Sequence, residues 1–410
     1  MKNVVFVAPH FLENTLRYVQ ALADLDGTRV GLISCDPVTK LPPRFREGVE
    51  AHYRVADCLD PAQLAKACRG LAHGMGAIDR LLGPLEQMQL PLAHAREACG
   101  IPGMGVATAT AFRDKTRMKD LFQRAGVPCA RHRRIESAAD AYAFVTEVGL
   151  PIILKPIDGL GSRGTQRIRT SAELDAALKS LSPSPSRPIQ AEEFIRGIER
   201  TCETVTITTR GSRQSIWHSG THYLPGPLEV IENPWIQYCV LLPREDDADF
   251  RAFTPLNVAA LDALGMETGL SHMEWFVRRD GTHAVSEVGA RPPGVQIMPL
   301  MSIAHGVDMV DEWCRLQVHG QFSRPARRLA AGVAFFRGQG QGKRVTAVRG
   351  VAEANDGVGP LVVDKKLPTV GQPATSGYEG EGWAIVAHER TEVVRQALSH
   401  MVSHVRVELG

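Results

Sequence analysis

Short apolar runs and amphipathic stretches take turns along the first 110 residues. Residues 4–7, 30–34, 53–55 and 78–82 read as strands, and residues 16–25, 62–71 and 85–98 read as helices. Strands separated by helical stretches predict a parallel sheet with helices packed on it. The turn after the first run, Ala8-Pro9-His10-Phe11-Leu12, holds no glycine, so this sheet is not expected to grip a dinucleotide through a Gly-rich turn. Between residues 114 and 125, Met118, Leu121, Phe122 and Ala125 recur at helical spacing, with Gly126 placed to stop the helix. The pattern then becomes mixed. A strand at 152–156 leads into a Gly-rich loop at 158–165 and a second strand at 166–169, and Thr170-x-x-Glu173 is a capping box that opens another helix. Residues 182–188 form a polar turn too short to link domains, and no internal repeat is present. From about residue 324, strand-like segments at 332–336, 345–348 and 384–386 precede a helix at 391–402, the outline of a smaller α+β unit.

Composition narrows the class of protein. With 410 residues the chain is expected to hold about two to four compact units. Its 44% hydrophobic and 22% charged residues are those of an ordinary globular protein. Lysine and arginine number 47 against 45 acids, a net charge of +2. That balance offers no broad field for a nucleic-acid backbone or an anionic membrane, so small molecules are the expected partners. The opening apolar run is too short for a signal sequence, and no stretch approaches the roughly 18 apolar residues of a membrane span. Eight scattered cysteines without a Cys-x-x-Cys pair suit reduced thiols, and the expected location is the cytoplasm.

Two segments carry candidate chemistry. Gly159-x-Gly161-x-x-Gly164 imitates a dinucleotide fingerprint, but Gly164 runs into the alternating Thr165-Gln-Arg-Ile-Arg169 rather than into a helix. It reads as a hairpin with a Gly-rich tip, where backbone N–H groups can approach phosphate oxygens and Ser162 and Arg163 add a donor and a charge. A plain surface turn is the alternative. Lys155 interrupts an apolar strand just before the loop; it is either a phosphate ligand or a lysine that snorkels or pairs with a carboxylate.

The second segment is the pair of strand-like runs Ser271-His-Met-Glu274-Trp-Phe-Val277 and His283-Ala-Val-Ser-Glu287-Val288, joined through Asp280-Gly281, a strong hairpin turn. A two-residue loop sets Arg279 opposite Thr282, Val277 opposite Ala284 and Glu274 opposite Glu287. Like charges so placed repel, and a hard divalent cation would reconcile them, since Mg²⁺ takes one or two carboxylates together with substrate phosphates. The same face carries His272, Gly289 and Arg291. The alternatives are acids that splay into water or share one proton.

In order and spacing these residues resemble the ATP-grasp superfamily along most of the chain. The family's Asp-Lys and Gly-Val-Pro are matched by Asp114-Lys115 and Gly126-Val127-Pro128, and its second nucleotide lysine by Lys155 before Gly159 to Gly164. Its adenine hinge is similar to Glu192-Glu193-Phe194-Ile195-Arg196-Gly197-Ile198-Glu199. The resemblance implies that Glu192, Glu193 and the backbone to Ile195 read adenine, that Glu199 binds ribose, that Gly159, Gly161, Ser162 and Gly164 close over phosphates, and that Glu274 and Glu287 carry Mg²⁺, with Mn²⁺ as a substitute. Arg291 would steady the transferred phosphate. Where many members have an Asn ligand this chain has Gly289, and His272, opposite it, is a candidate helper.

The implied fold combines α/β and α+β parts. An N-terminal Rossmann-like domain (1–110) is followed by a small ATP-grasp lid subdomain with a helical lead-in (111–195), a large subdomain with the metal site (196–323) and a C-terminal α+β domain (324–410). The implied activity is ADP-forming ligation of a carboxylate to an amine. The runs Gly269-Leu-Ser-His272-Met-Glu274 and Glu287-Val-Gly-Ala-Arg291-Pro-Pro-Gly294 look like those of amino-acid ligases. A biotin carboxylase fits less well, lacking its longer glycine run and basic segment. An ATP-binding regulator without turnover and a dehydrogenase are the other readings. Family members are commonly dimers, which implies a homodimer. The aromatic segment 218–238, with Trp217, His222, Tyr223 and Trp235 and several prolines, either lines the acceptor pocket or packs a loop onto the body.

Overall fold

A computed structural model describes residues 1–159, 164–375 and 377–410. The first strand, Lys2–Val7, lies between Thr28–Ser34 and Arg80–Leu82, with Ala51–Arg54 at the far edge, and all pairings are parallel. Val4 to Val7 are fully buried because helices cover both faces, which is why the run is apolar throughout instead of alternating. Helix Pro61–Met75 starts on Asp60, whose carboxylate accepts the N–H groups of Ala62 and Gln63. A short 3-10 turn, Glu86–Met88, leads into helix Gln89–Cys99 and brings Glu86 to the edge of the sheet.

Two helices, Val106–Arg113 and Lys115–Arg124, lead into a four-stranded antiparallel sheet. Its order is His132–Ile135, Ile189–Glu193, Ile152–Pro156, Gln166–Ile168. The last two strands form the expected hairpin, Ile152 opposite Ile168, so the Gly-rich loop joins antiparallel neighbours and the dinucleotide reading fails on topology. Helix Ser171–Leu181 starts on Thr170, whose hydroxyl accepts Glu173 N–H, while Glu173 reaches back one residue further than a standard box, to Arg169 N–H at 2.6 Å.

A nine-stranded sheet forms the body. Hairpin His283–Gly289 and Gly269–Arg278 begins it, followed by Gly197–Thr209, His222–Leu224, Tyr238–Leu242, Ala330–Phe336, Gly382–His388 and Val362–Lys366, with Ser212–Ser219 paired to Gly197–Thr209. Strands from residues 324–410 thus continue the sheet that carries the two glutamates. Three further strands, Gly338–Gln339, Arg406–Leu409 and Val345–Arg349, make a separate small sheet. On the buried face of the hairpin, Trp275 stacks on Phe253 of helix Ala248–Leu264 with ring centroids 4.0 Å apart, fixing the opposite face toward the cleft. No helix among the described residues is long and apolar enough to cross a membrane.

Candidate active site

The cleft between the four-stranded sheet and the body has a volume of about 1310 Å³ and is lined by Lys115, Lys155, Gly159, Glu192, Glu193, Ile195, Glu199, Glu274 and Glu287 among the residues that the sequence singles out. One wall begins at Asp114, which caps helix Lys115–Arg124 by accepting the N–H groups of Thr116 and Arg117, both at 3.0 Å. That cap fixes Lys115 in the first turn. Its Nζ donates to Gly159 O at 2.9 Å and lies 3.5 Å from Glu287. The buried side of this helix is Lys115, Thr116, Met118, Lys119 and Phe122, and Ala125 is exposed. The apolar side expected from spacing is therefore rotated toward two lysines, because the cleft carboxylates give buried ammonium groups the partners they need.

Lys155 sits in strand Ile152–Pro156, 2.9 Å from Glu192 and 3.5 Å from Glu287. Burial works against its charge, yet the two carboxylates outweigh burial and raise its proton affinity above the ordinary lysine value. Burial likewise opposes ionisation of Glu192, but Lys119 and Lys155 hold it below the usual carboxylate range. Lys119 was not singled out by sequence. It is fully buried, 3.5 Å from Glu192, and its Nζ donates to Ser286 O at 2.8 Å. Its spacing of four residues from Lys115, between Met118 and Phe122, is the signal that could have found it.

Glu274 and Glu287 are direct partners across the hairpin, and His272 is opposite Gly289, as the register predicts. Nearer the tip the register differs. Val277 pairs with His283, not Ala284, because the turn is one residue longer than the two-residue loop, Arg278 N–H bonding Thr282 O at 2.8 Å. Ser286 is an extra residue between Glu287 and Val285, a bulge that restores the pairing at the acids. The two glutamates titrate unequally. Burial opposes ionisation of both, but Lys115, Lys155 and Lys119 pull Glu287 down to about 2, while Glu274, facing Glu287, is pushed up. Tyr223 donates to Glu274 at 3.2 Å. Glu199, on the same face of the neighbouring strand, is pushed well up by burial and by the other two acids.

Among the described residues no group of three or more His, Cys, Asp or Glu converges as a metal cage. Two facing hard-oxygen donors beside three lysines fit Mg²⁺, which keeps phosphate oxygens and water in its remaining positions. His272 donates through Nδ1 to the fully buried Glu203 at 2.8 Å, leaving Nε2 3.9 Å from Glu274. Gly289 has a local reason. A Cβ there would come within 2.6 Å of Glu86 Oε2, so a carboxylate from the first sheet's edge occupies the space of a side chain. Glu86 also binds Arg291 Nε at 2.5 Å and Arg113 at 2.8 Å, and Arg113 in turn donates to Asp158 O at 2.6 Å. Burial resists ionisation of Glu86, but Arg291 and Arg113 hold it below the usual range.

Other expected residues vary in placement. Ile195 and Glu193 line the cleft, but Glu193's carboxylate is taken by Arg131 at 2.7 Å. Gly159 and Gly164 flank the loop; Gly161 and Ser162 lie outside the described residues. In the aromatic segment, Tyr223 and Tyr238 face a second cavity of about 460 Å³ that also contains Glu274, Arg291 and His272. Trp217 packs on His305 and Phe322, and Trp235 is exposed.

A helix and a small sheet that bring three lysines against paired carboxylates on a second sheet form a cleft suited to a nucleoside triphosphate. Residues 120–294 match the ATP-grasp domain family. A D-alanine–D-alanine ligase of Pseudomonas entomophila (strain L48) is 35% identical over 243 residues, 58% of this chain and 71% of that one. An alanine–anticapsin ligase of Bacillus subtilis is 29% identical over 254 residues, 58% of this chain and 53% of its own, so the chain spans about half the length of that relative. The L-amino acid ligase from Bacillus licheniformis superposes with a TM-score of 0.78 at 20% identity, covering 100% of this chain and 99% of that one, a likeness of fold. The chain belongs to the ATP-grasp family.

Proposed function

We propose that the protein is an ATP-dependent carboxylate–amine ligase acting on amino acids. A substrate carboxylate oxygen would take the γ-phosphoryl group of ATP, releasing ADP. An amine nitrogen would then attack the acyl carbon, expel phosphate and lose a proton, leaving an amide. The observation that carries this reading is Glu274 facing Glu287 across the cleft from Lys155. The amino-acid class rests on the alanine and D-alanine ligases among its relatives.

Lys115 and Lys155 hold the triphosphate beside Gly159 and Gly164, and the Gly-rich sequence that includes Gly161 and Ser162 supplies further phosphate contacts. Glu192 and the backbone from Glu193 to Ile195 read adenine, and Glu199 the ribose hydroxyls. Mg²⁺ held by Glu274 and Glu287 would neutralise charge on the phosphates. Arg291 orients the acyl phosphate, His272 is poised on Glu274, and the closed loop keeps out water that would hydrolyse the activated acid.

The test is an ADP-release screen pairing amino acids with one another and with simple amines, followed by mass analysis of products. Lys155→Ala and Glu287→Ala should each lower turnover by about a hundredfold or more; wild-type turnover in either variant would refute its assignment. The other reading, an ATP-binding regulator, is favoured by Gly289 in place of the usual Asn ligand. It predicts ATP binding with no ADP formed across the panel.

A further inference from the structure

A third cavity, of about 570 Å³, opens where the first sheet meets the ends of strands Gly197–Thr209 and Gly269–Arg278. It shares Arg291 and Pro292 with the cavity beside Glu274, but includes neither the cleft lysines nor the paired glutamates. Arg80, Arg96 and Arg210 line it, against Glu267 as its sole acid among the described residues.

Arg96 is the informative member. It is 8% exposed, and its guanidinium donates to backbone carbonyls alone: Leu81 O at 3.0 and 2.7 Å, and Met104 O at 3.3 Å. Those bonds use three of its five N–H donors. Gly103, at φ +145°, lets the loop lie flat on the side chain, since a Cβ there would sit 3.1 Å from Arg96 Cδ. Arg80 is likewise tied to carbonyls, of Gln317 and Asp79.

Among the described residues none of the three arginines has a carboxylate within ion-pair distance. The part-buried Arg113, Arg200, Arg291 and Arg327 each have at least one, whereas Arg337, 7% exposed, is held like Arg96 by backbone carbonyls, those of Val230 and Asn233, but lines none of the three cavities. A buried guanidinium without a countercharge is costly unless something supplies the charge. Burial lowers the proton affinity of Arg96 to about 10, with Glu267 as its largest opposing influence. The rest of the wall includes the partly exposed Met104 and Ile207, a surface for an apolar body attached to the anion.

We propose that this cavity is a second binding site, for a small organic anion whose carboxylate or phosphate group is held by Arg80, Arg96 and Arg210. The site shares no residue with the nucleotide cleft and shares Arg291 with the cavity beside Glu274.

Calorimetric titration of the full chain, saturated with Mg²⁺ and ADP, uses phenyl phosphate and benzoate as probes. At least one should bind, and Arg80→Gln and Arg210→Ala, whose side chains line neither other cavity, should each weaken it by about tenfold. Phenyl phosphate alone assigns a phosphate ester, benzoate alone a carboxylate, and both the shared anion chemistry. Binding of neither probe, or affinities unchanged in both variants, overturns the proposal. Should Arg80→Gln fail to fold, the more exposed Arg210→Ala decides.

Discussion

At position 289 the backbone has no room for a side chain, because Glu86 Oε2 would lie 2.6 Å from a Cβ. Gly289→Asn should therefore destabilise the protein instead of adding a ligand. In a Glu86→Ala background the penalty should shrink, a coupling of about 1–3 kcal/mol readable from a urea-unfolding double-mutant cycle. Glu86 itself titrates in a predictable direction. Its folded-state proton affinity is depressed by Arg291 and Arg113, so its contribution to stability is present above the unfolded carboxylate value, about pH 4.3, and is lost as pH falls through the lower folded value. Glu86→Gln should remove that acid-side dependence and, by leaving two part-buried arginines without their carboxylate, cost about 1–3 kcal/mol near neutral pH. Unfolding curves across the acid range check both. None of this is legible in sequence: Glu86, Arg113 and Arg291 are far apart along the chain, and no local pattern ties a polar residue of a short 3-10 turn to a distant arginine.

The hairpin shows how an element can be read correctly through a compensated error. Asp280-Gly281 does mark the turn, with Gly281 at φ +80°, but the loop is one residue longer than two, and the bulge at Ser286 restores the register. Alternation of apolar residues locates the strands; a bulge inside a seven-residue strand leaves almost no trace in that alternation. Lys119 supports the bulge by holding Ser286 O at 2.8 Å. Lys119→Met should cost about 1–3 kcal/mol, from the part-buried carbonyl left without its donor, and should weaken ATP binding, both measurable by denaturation with and without nucleotide. In the N-terminal region the alternating pattern specifies strands and helices well, since each is buried by its own period. In the tail, runs 332–336 and 384–386 are equally visible, but their pairing into the body sheet is long-range and unwritten in the local pattern.

Across the whole molecule, the cleft is spanned by an ion-paired clasp. Arg167 pairs with Glu232, Arg169 lies 3.2 Å from the same carboxylate, and the Arg167 guanidinium rests 5.1 Å from the Phe194 ring centre. This joins the strand after the Gly-rich loop to helix Pro227–Glu232 on the far wall. Because the pair is partly exposed, Glu232→Gln should loosen closure modestly, speeding nucleotide release by up to about fivefold, as stopped-flow displacement would report. The cleft itself draws on the helical lead-in, the small sheet and the body, which is why the sequence yields its members one motif at a time but not their charge balance.

Glu86 gives the first sheet a stake in chemistry that belongs to another part of the chain. A chimera that grafts a foreign N-terminal unit onto this body would inherit a bare notch at residue 289 and an unclamped guanidinium at 291, so the acid and the glycine have to be transplanted as a pair.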